Sequence, residues 1–213
     1  MPSYTKACGG KDMQTTTTKK PDVVDEGKFS ALTDRKISVN TAQKYGVKCV
    51  HDLQGNVVKH FYPYYNGHEL SATKTRNCRN KDFYISGTYN DTGLFGQQLF
   101  KSGKYITITE GECDAMAAYE LLGSKWAVVS IKRGANGAVR DIKESLEFFD
   151  DFENVIIAFD KDKAGQEASI KVARLFKPGK ARIVTLPNGW KDPNDMLRNN
   201  KHKEFVEAWW ASK

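Results

Sequence analysis

The sequence predicts an α/β fold: a Rossmann-like, mostly parallel sheet flanked by helices, preceded by a small basic α+β subdomain. Three observations carry this. From Tyr105 onward, short apolar runs alternate with segments of helical periodicity, the pattern of repeated βα units that lay strands side by side in parallel. Upstream, strand-like runs are separated by Gly55-Asn56 and Asn66-Gly67, turn pairs that join antiparallel strands. Charge divides at the same place. Residues 1–104 carry 16 Lys and Arg against 9 Asp and Glu, residues 105–213 carry 17 against 17, and the whole net charge of +7 therefore lies in the first half.

Residues 1–27 hold Thr15-Thr16-Thr17-Thr18, Lys19-Lys20-Pro21 and a Gly pair with almost no apolar periodicity, and read as a flexible tail or linker. The basic subdomain is expected over 28–100. Within it a short helix is predicted from Val39 to Tyr45, with Ser38 as N-cap and Gly46 past its end. Strands over Val47–Val50, Val57–Tyr65 and Leu70–Arg76 make a small antiparallel sheet, and the alternating Tyr62, Tyr64 and Tyr65 read as core rather than base-stacking residues. Phe83 then opens a turn-rich stretch that ends at Gly93-Leu94-Phe95-Gly96.

The second domain is expected over 101–213. Strands at 105–109, Trp126–Ser130, Val155–Phe159 and Arg182–Leu186 alternate with helices near Cys113–Leu122, Asn136–Phe149 and Gln166–Phe176. Asp192-Pro193-Asn194-Asp195 follows the last strand, and an amphipathic helix near Lys201–Trp210 closes the chain.

Several classes are disfavoured. No apolar stretch approaches the roughly 18 residues of a membrane span and no signal-peptide core is seen, so no membrane partner is expected and the chain reads as soluble and cytoplasmic. Cys8, Cys49, Cys78 and Cys113 form no CxxC pair, and His51, His60, His68 and His202 no metal-spaced cluster, so neither zinc nor a disulfide framework is expected.

Chemistry concentrates where strands end. Glu110-Gly111-Glu112 closes the run Tyr105–Thr109, and Asp160-Lys161-Asp162 closes Val155–Phe159. In an open α/β sheet ligands bind beyond the carboxyl ends of the strands. Asp160 and Asp162, at i and i+2, leave one face together if strand geometry persists. With Glu110 from a neighbouring strand they suit a hard cation that keeps several waters and takes its other ligands from phosphate. Glu112 and Asp114 lie close enough to join; Asp114 alternatively sits in the first helical turn, favoured by the dipole. Lys132-Arg133, at another strand exit, offers phosphate contacts. A basic half beside an acidic metal site suits an enzyme that handles polyanions.

Thr109-Glu110-Gly111-Glu112, Phe159-Asp160-Lys161-Asp162-Lys163-Ala164-Gly165 and Lys191-Asp192-Pro193-Asn194-Asp195 resemble the signature of TOPRIM domains. More narrowly they resemble the primase half of the T-seven-like phage primase–helicases and their mitochondrial relative. The likeness extends upstream through Ser30-Ala31-Leu32-Thr33, the Gly55-Asn56-Val57-Val58 hairpin, Lys81-Asp82-Phe83 and Gly93-Leu94-Phe95-Gly96, over roughly residues 27–213. It implies DNA-templated synthesis of short RNA primers from ribonucleoside triphosphates on single-stranded DNA. Glu110 would be the catalytic carboxylate, as metal ligand or general base; Asp160 and Asp162 would bind Mg²⁺, assisted by Asp192. Arg79 and Lys81 resemble the family's basic motif that holds template or nucleotide phosphates, with Arg76 as a substitute for Arg79. Lys132-Arg133 departs from the histidine–glycine step the family often shows there. The implied partners are a helicase domain, a zinc-binding domain and a replicative DNA polymerase. Neither a P-loop nor a zinc-spaced Cys set occurs in these 213 residues, so weak polymerisation with little template discrimination is expected of this chain alone. Two other readings remain open on the sequence: a TOPRIM nuclease, in which water replaces the ribose hydroxyl, and a non-catalytic single-stranded-DNA binding or docking module.

Overall fold

The computed structural model of the protein describes residues 23–24, 26–80 and 82–213. The tail expected over 1–27 lies almost wholly outside the described residues, and so does Lys81. Ser38 begins the first helix as its side chain predicts: its Oγ accepts from the Thr41 amide at 3.3 Å, α1 spans Val39–Tyr45, and Gly46 closes it at φ 72°. Four antiparallel strands follow, β1 (Lys48–His51), β2 (Val57–Asn66), β3 (Glu69–Asn77) and β4 (Phe83–Gly87), in spatial order β1-β2-β3-β4. β4 occupies part of the stretch read as turn-rich. Its run Phe83-Tyr84-Ile85 is exposed on both faces, so the sequence lacks the alternation by which a half-buried strand is recognised.

The second sheet is parallel. β5 (Gly103–Thr109), β6 (Ala127–Ser130), β7 (Phe152–Ala158) and β8 (Ala181–Ile183) lie in the order β6-β5-β7-β8. The helices are α2 (Glu112–Leu121), α3 (Gly134–Glu144), α4 (Leu146–Asp150), α5 (Lys163–Ala173), α6 (Pro193–Arg198) and α7 (His202–Trp210). Strand alternation divides the core in two. Ile106, Ile108, Val129, Val155 and Ile157 pack with residues of α3, α4 and α5, whereas Val128, Ile156 and Ala158 pack with residues of α2, α6 and α7. The single helix expected over Asn136–Phe149 is interrupted at Ser145, whose φ of −121° is not helical. The break turns Phe148 and Phe149 onto Phe152 and Phe176. α6 was visible only as an acidic motif, because six residues are too few for a periodicity.

The two sheets share a core. Tyr62 and Tyr64 of β2 and Tyr45 of α1 are buried in the same cluster as Met116, Ala117 and Phe95, and the Tyr45 hydroxyl donates to the Val128 carbonyl at 2.9 Å. The turn Gly93–Gly96 delivers Phe95 to that junction. Gly96 sits at φ +81°, and a Cβ there would lie 2.7 Å from the Tyr45 ring, so the position needs glycine on two counts. Among the described residues no helix is long and apolar enough to cross a membrane.

Candidate active site

β5 and β7 pair in parallel with Thr109 beside Ala158, so Glu110 and Asp160 leave the sheet next to each other, at the position where such sheets bind ligands. They open into a cleft of about 870 Å³ between the end of the parallel sheet and the face of the antiparallel one. Glu110 is anchored at one oxygen, Oε1, which accepts from the Ala135 amide at 3.1 Å at the start of α3. Its other oxygen, Oε2, is buried with no partner among the described residues. Burial first, and the charge of Asp160 next, raise the Glu110 pKa above the ordinary carboxylate value. Asp160 is likewise raised by burial, against the opposing pull of Lys191, whose Nζ lies 2.8 Å from Oδ2.

The remaining carboxylates arrive from helix starts. Asp162 is exposed and caps α5, accepting from the Gly165 amide at 2.9 Å; its charge adds to the upward pressure on Glu110 and Asp160. Gly165 permits that arrangement, since a Cβ would stand 2.3 Å from the Asp160 carbonyl oxygen. Asp192 caps α6, accepting from the Asp195 amide at 2.7 Å. Asp114 lies in the first turn of α2 and also within the acid cluster. Its Oδ1 accepts from the Asn194 amide at 3.1 Å. Burial, then the charges of Asp192 and Asp160, push its pKa well above the usual range. Glu112 turns the other way. Buried, it accepts from the Tyr64 hydroxyl at 2.6 Å and pairs with Lys74 at 2.7 Å, bonding α2 to the antiparallel sheet.

The basic residues divide sharply. Arg76 lines the cleft, and its Nε is buried with no partner among the described residues. Arg79 stands outside the cleft lining, 71% exposed at its side chain and 3.3 Å from Asp52. Lys132 and Arg133 border the cleft, but their head groups are occupied. Lys132 Nζ donates to the carbonyls of Thr92 and Asn90. Arg133 pairs with Asp141 and Glu144 and donates to Asn90. Sequence reasoning missed Lys74, Lys191 and Phe83, all of which line the cleft. A signal existed for Lys74, which is two residues before Arg76 and so on the same face of a strand.

The cluster meets the chemical requirement for a hard divalent cation: oxygen donors only, mutual repulsion that Lys191 offsets only in part, and one buried carboxylate oxygen without a partner among the described residues. A second group, Asp34, His60 and Cys78, brings ligand atoms within 4.8 Å of one another. There His60 already uses both ring nitrogens, at 3.0 Å to Asp34 and 2.8 Å to the Tyr62 hydroxyl.

A family profile described as Toprim-like matches residues 107–197, from β5 to α6. The chain is 36% identical over 186 residues to the DNA helicase/primase of Enterobacteria phage T3, covering 86% of this chain and 32% of that protein. It superposes on the primase fragment of the bacteriophage T7 primase-helicase with a TM-score of 0.78 at 33% identity, covering 96% of this chain and 83% of that one. The primase domains of T7 gp4, solved with the T7 lagging-strand DNA polymerase, an RNA/DNA hybrid and dTTP, match with a TM-score of 0.78 at 35% identity, over 87% of this chain and 93% of that one. The chain belongs to the Toprim phage primase family. The matched span of this phage primase domain contains all of the converging carboxylates, while Lys74 and Arg76 come from the sheet that precedes it. The domain spans about a third of the length of the T3 protein (32%).

Proposed function

We propose that the protein is a primer-synthesising domain, a divalent-cation-dependent nucleotidyltransferase that copies single-stranded DNA into short RNA. The observation that carries this is the half-buried Glu110 beside Asp160, its Oε2 buried without a partner among the described residues, facing a row of cations across an open cleft. Glu110, Asp160, Asp162 and Asp192, with Asp114 behind them, would hold Mg²⁺ or Mn²⁺. When bound, the cation would supply charge neutralisation at the triphosphate and acidification of the attacking hydroxyl.

The chain's own groups account for the rest. Glu110, with one oxygen held by the Ala135 amide, presents the other as ligand or proton acceptor for the 3′-hydroxyl. Lys191 neutralises Asp160 and keeps the carboxylates from repelling one another apart. Arg76 meets phosphate across the cleft as a fork, and Lys74, its ammonium paired with Glu112, adds a partly neutralised charge beside it; Lys81 belongs with them on the resemblance of its motif. Residues 28–100 and 101–213 would act as the two walls of the cleft. The name of the T3 relative and the T7 assembly support a helicase domain and a replicative polymerase as partners.

The test is incorporation of labelled ribonucleotides on single-stranded DNA with Mg²⁺ or Mn²⁺, with and without a supplied dinucleotide, beside Glu110→Gln. Template-dependent RNA lost in the variant is the expected result. Nicking of plasmid without added nucleotide would move the assignment to a nuclease, and binding that outlives a complete absence of chemistry would move it to a docking module.

A further inference from the structure

The cleft face of the antiparallel sheet is graded from inside to outside. β-sheet partners that stand directly opposite point to the same face. His60 is paired with Arg76 and Tyr62 with Lys74 across β2 and β3; Arg76 is paired with Phe83 and Lys74 with Ile85 across β3 and β4. Three rows result. His60 and Tyr62 are buried under the parallel domain, Lys74 and Arg76 form a row of cations, and Phe83 and Ile85, 49% and 52% exposed, form an apolar outer row. The cations lie against the Phe83 ring, Lys74 Nζ 4.8 Å and the Arg76 guanidinium 5.7 Å from its centroid. Phe83 lines the same cleft as Glu110 and Asp160.

An exposed aromatic ring on an edge strand is unfavourable for a free surface. Lys74 and Arg76 lie against it without burying it, and Val24, whose amide donates to Ser86 Oγ at 3.0 Å, reaches the far end of β4 only. A row of cations one strand inward from an aromatic row is the arrangement that single-stranded nucleic acid uses, with phosphates on the charges and bases on the rings. Arg76 adds a buried Nε that has no partner among the described residues.

We propose that Phe83 is a positioning residue for the template: one unpaired base of the single-stranded DNA stacks on its ring, Ile85 extends the apolar floor, and the adjoining phosphate falls on Arg76. The base is thereby held at the cleft mouth, in line with the carboxylates. This rests on the reading of the cleft as the site of templated synthesis. It assigns a role to a side chain that makes no contact with the reacting atoms.

The strand supplies its own control. Tyr84 is also aromatic and 60% exposed, but it is paired with Thr75 on the opposite face and does not line the cleft. Binding of a fluorescent oligothymidylate would be measured as a function of salt for the wild type, Phe83→Ala, Phe83→Trp, Tyr84→Ala and Arg76→Ala, alongside the template KM of primer synthesis. Loss of one stacked base weakens binding about tenfold, so Phe83→Ala should raise both Kd and template KM by about that factor with kcat and the salt slope unchanged. Arg76→Ala should flatten the slope by about 0.7 for one lost phosphate. Phe83→Trp should restore affinity and add fluorescence that the DNA quenches. Tyr84→Ala should match the wild type.

Equal effects of Phe83→Ala and Tyr84→Ala, or DNA affinity unchanged in Phe83→Ala, would overturn the proposal while leaving primer synthesis standing. In that case the apolar edge is better read as a protein-docking strand. Failure of the wild type to bind single-stranded DNA or make primers would overturn the functional reading as well.

Discussion

Lys74→Met tests whether the two sheets are held in register by the bond that crosses the cleft. Lys74 Nζ lies 2.7 Å from Glu112 Oε1, and the two side chains are only 16% and 7% exposed. At that separation the attraction is about 6 kcal/mol for an effective dielectric constant of 20, most of it cancelled by desolvation. The relevant quantity is what remains when one partner is deleted. A buried carboxylate that loses its cation costs about 3–5 kcal/mol. Lys74 borders an open cleft that admits water, so the lower end, about 3 kcal/mol, is appropriate. A domain of this size loses about 2–4 °C of Tm per kcal/mol, which gives a fall of about 6–12 °C. Glu112→Gln keeps an acceptor for the Tyr64 hydroxyl and frees Lys74 to turn toward solvent, so it should cost about 1 kcal/mol, the value of one ordinary hydrogen bond. The double variant should be more stable than Lys74→Met alone, because the apolar replacement then faces a neutral amide instead of a stranded carboxylate. Urea denaturation of all four proteins measures the coupling. A double variant whose loss equals the sum of the single losses within about 0.5 kcal/mol would refute the reasoning.

Three further outcomes follow from the acid cluster. Burial and the neighbouring charges raise Asp114, Glu110 and Asp160 above their unfolded values, so the folded state holds these protons more tightly, and stability in chelator declines as pH rises from about 4 through the raised values. Asp34, Asp52 and Glu144 are lowered and act in the opposite sense, so the clean reading is a difference: Asp114→Asn should have a higher Tm than wild type at neutral pH, with the gain vanishing near pH 4. Millimolar Mg²⁺ or Mn²⁺ should raise the wild-type Tm and excess EDTA should reverse it, with Glu110→Gln responding less in a thermal-shift titration. Gly165→Ala forces a Cβ against the Asp160 carbonyl; it should destabilise by about 1–3 kcal/mol in chemical denaturation, typical of overpacking, and lower primer synthesis further than its loss of fold predicts.

Much of this was legible in the sequence because it follows from local chemistry. Ser38 and Gly46 bracket α1, the Gly55-Asn56 and Asn66-Gly67 turns separate β1, β2 and β3, and the βα alternation after Tyr105 describes the parallel sheet. Glu110 and Asp160 were visible as the residues that end two apolar runs, and strand pairing brings them together. What escaped depends on contacts between distant segments. Nothing near Lys74 in the chain signals that its partner is Glu112, 38 residues on. Lys132 and Arg133 look free in the sequence, yet Asp141, on the next helix, and the turn that holds Asn90 and Thr92 take up both head groups. β4 was hidden because its exposed apolar run follows neither a strand nor a helix period, the property from which its role at the cleft mouth is inferred.

The most direct measurement is single-turnover extension of a short RNA annealed to template DNA by one labelled ribonucleotide, which isolates the chemical step from initiation. With Mg²⁺ or Mn²⁺ present, Glu110→Gln should bind the annealed pair as the wild type does and extend it at least about a hundredfold more slowly, the scale expected for losing a positioned acid–base group. Extension by Glu110→Gln at the wild-type rate would contradict the account and place the reacting centre elsewhere in the molecule.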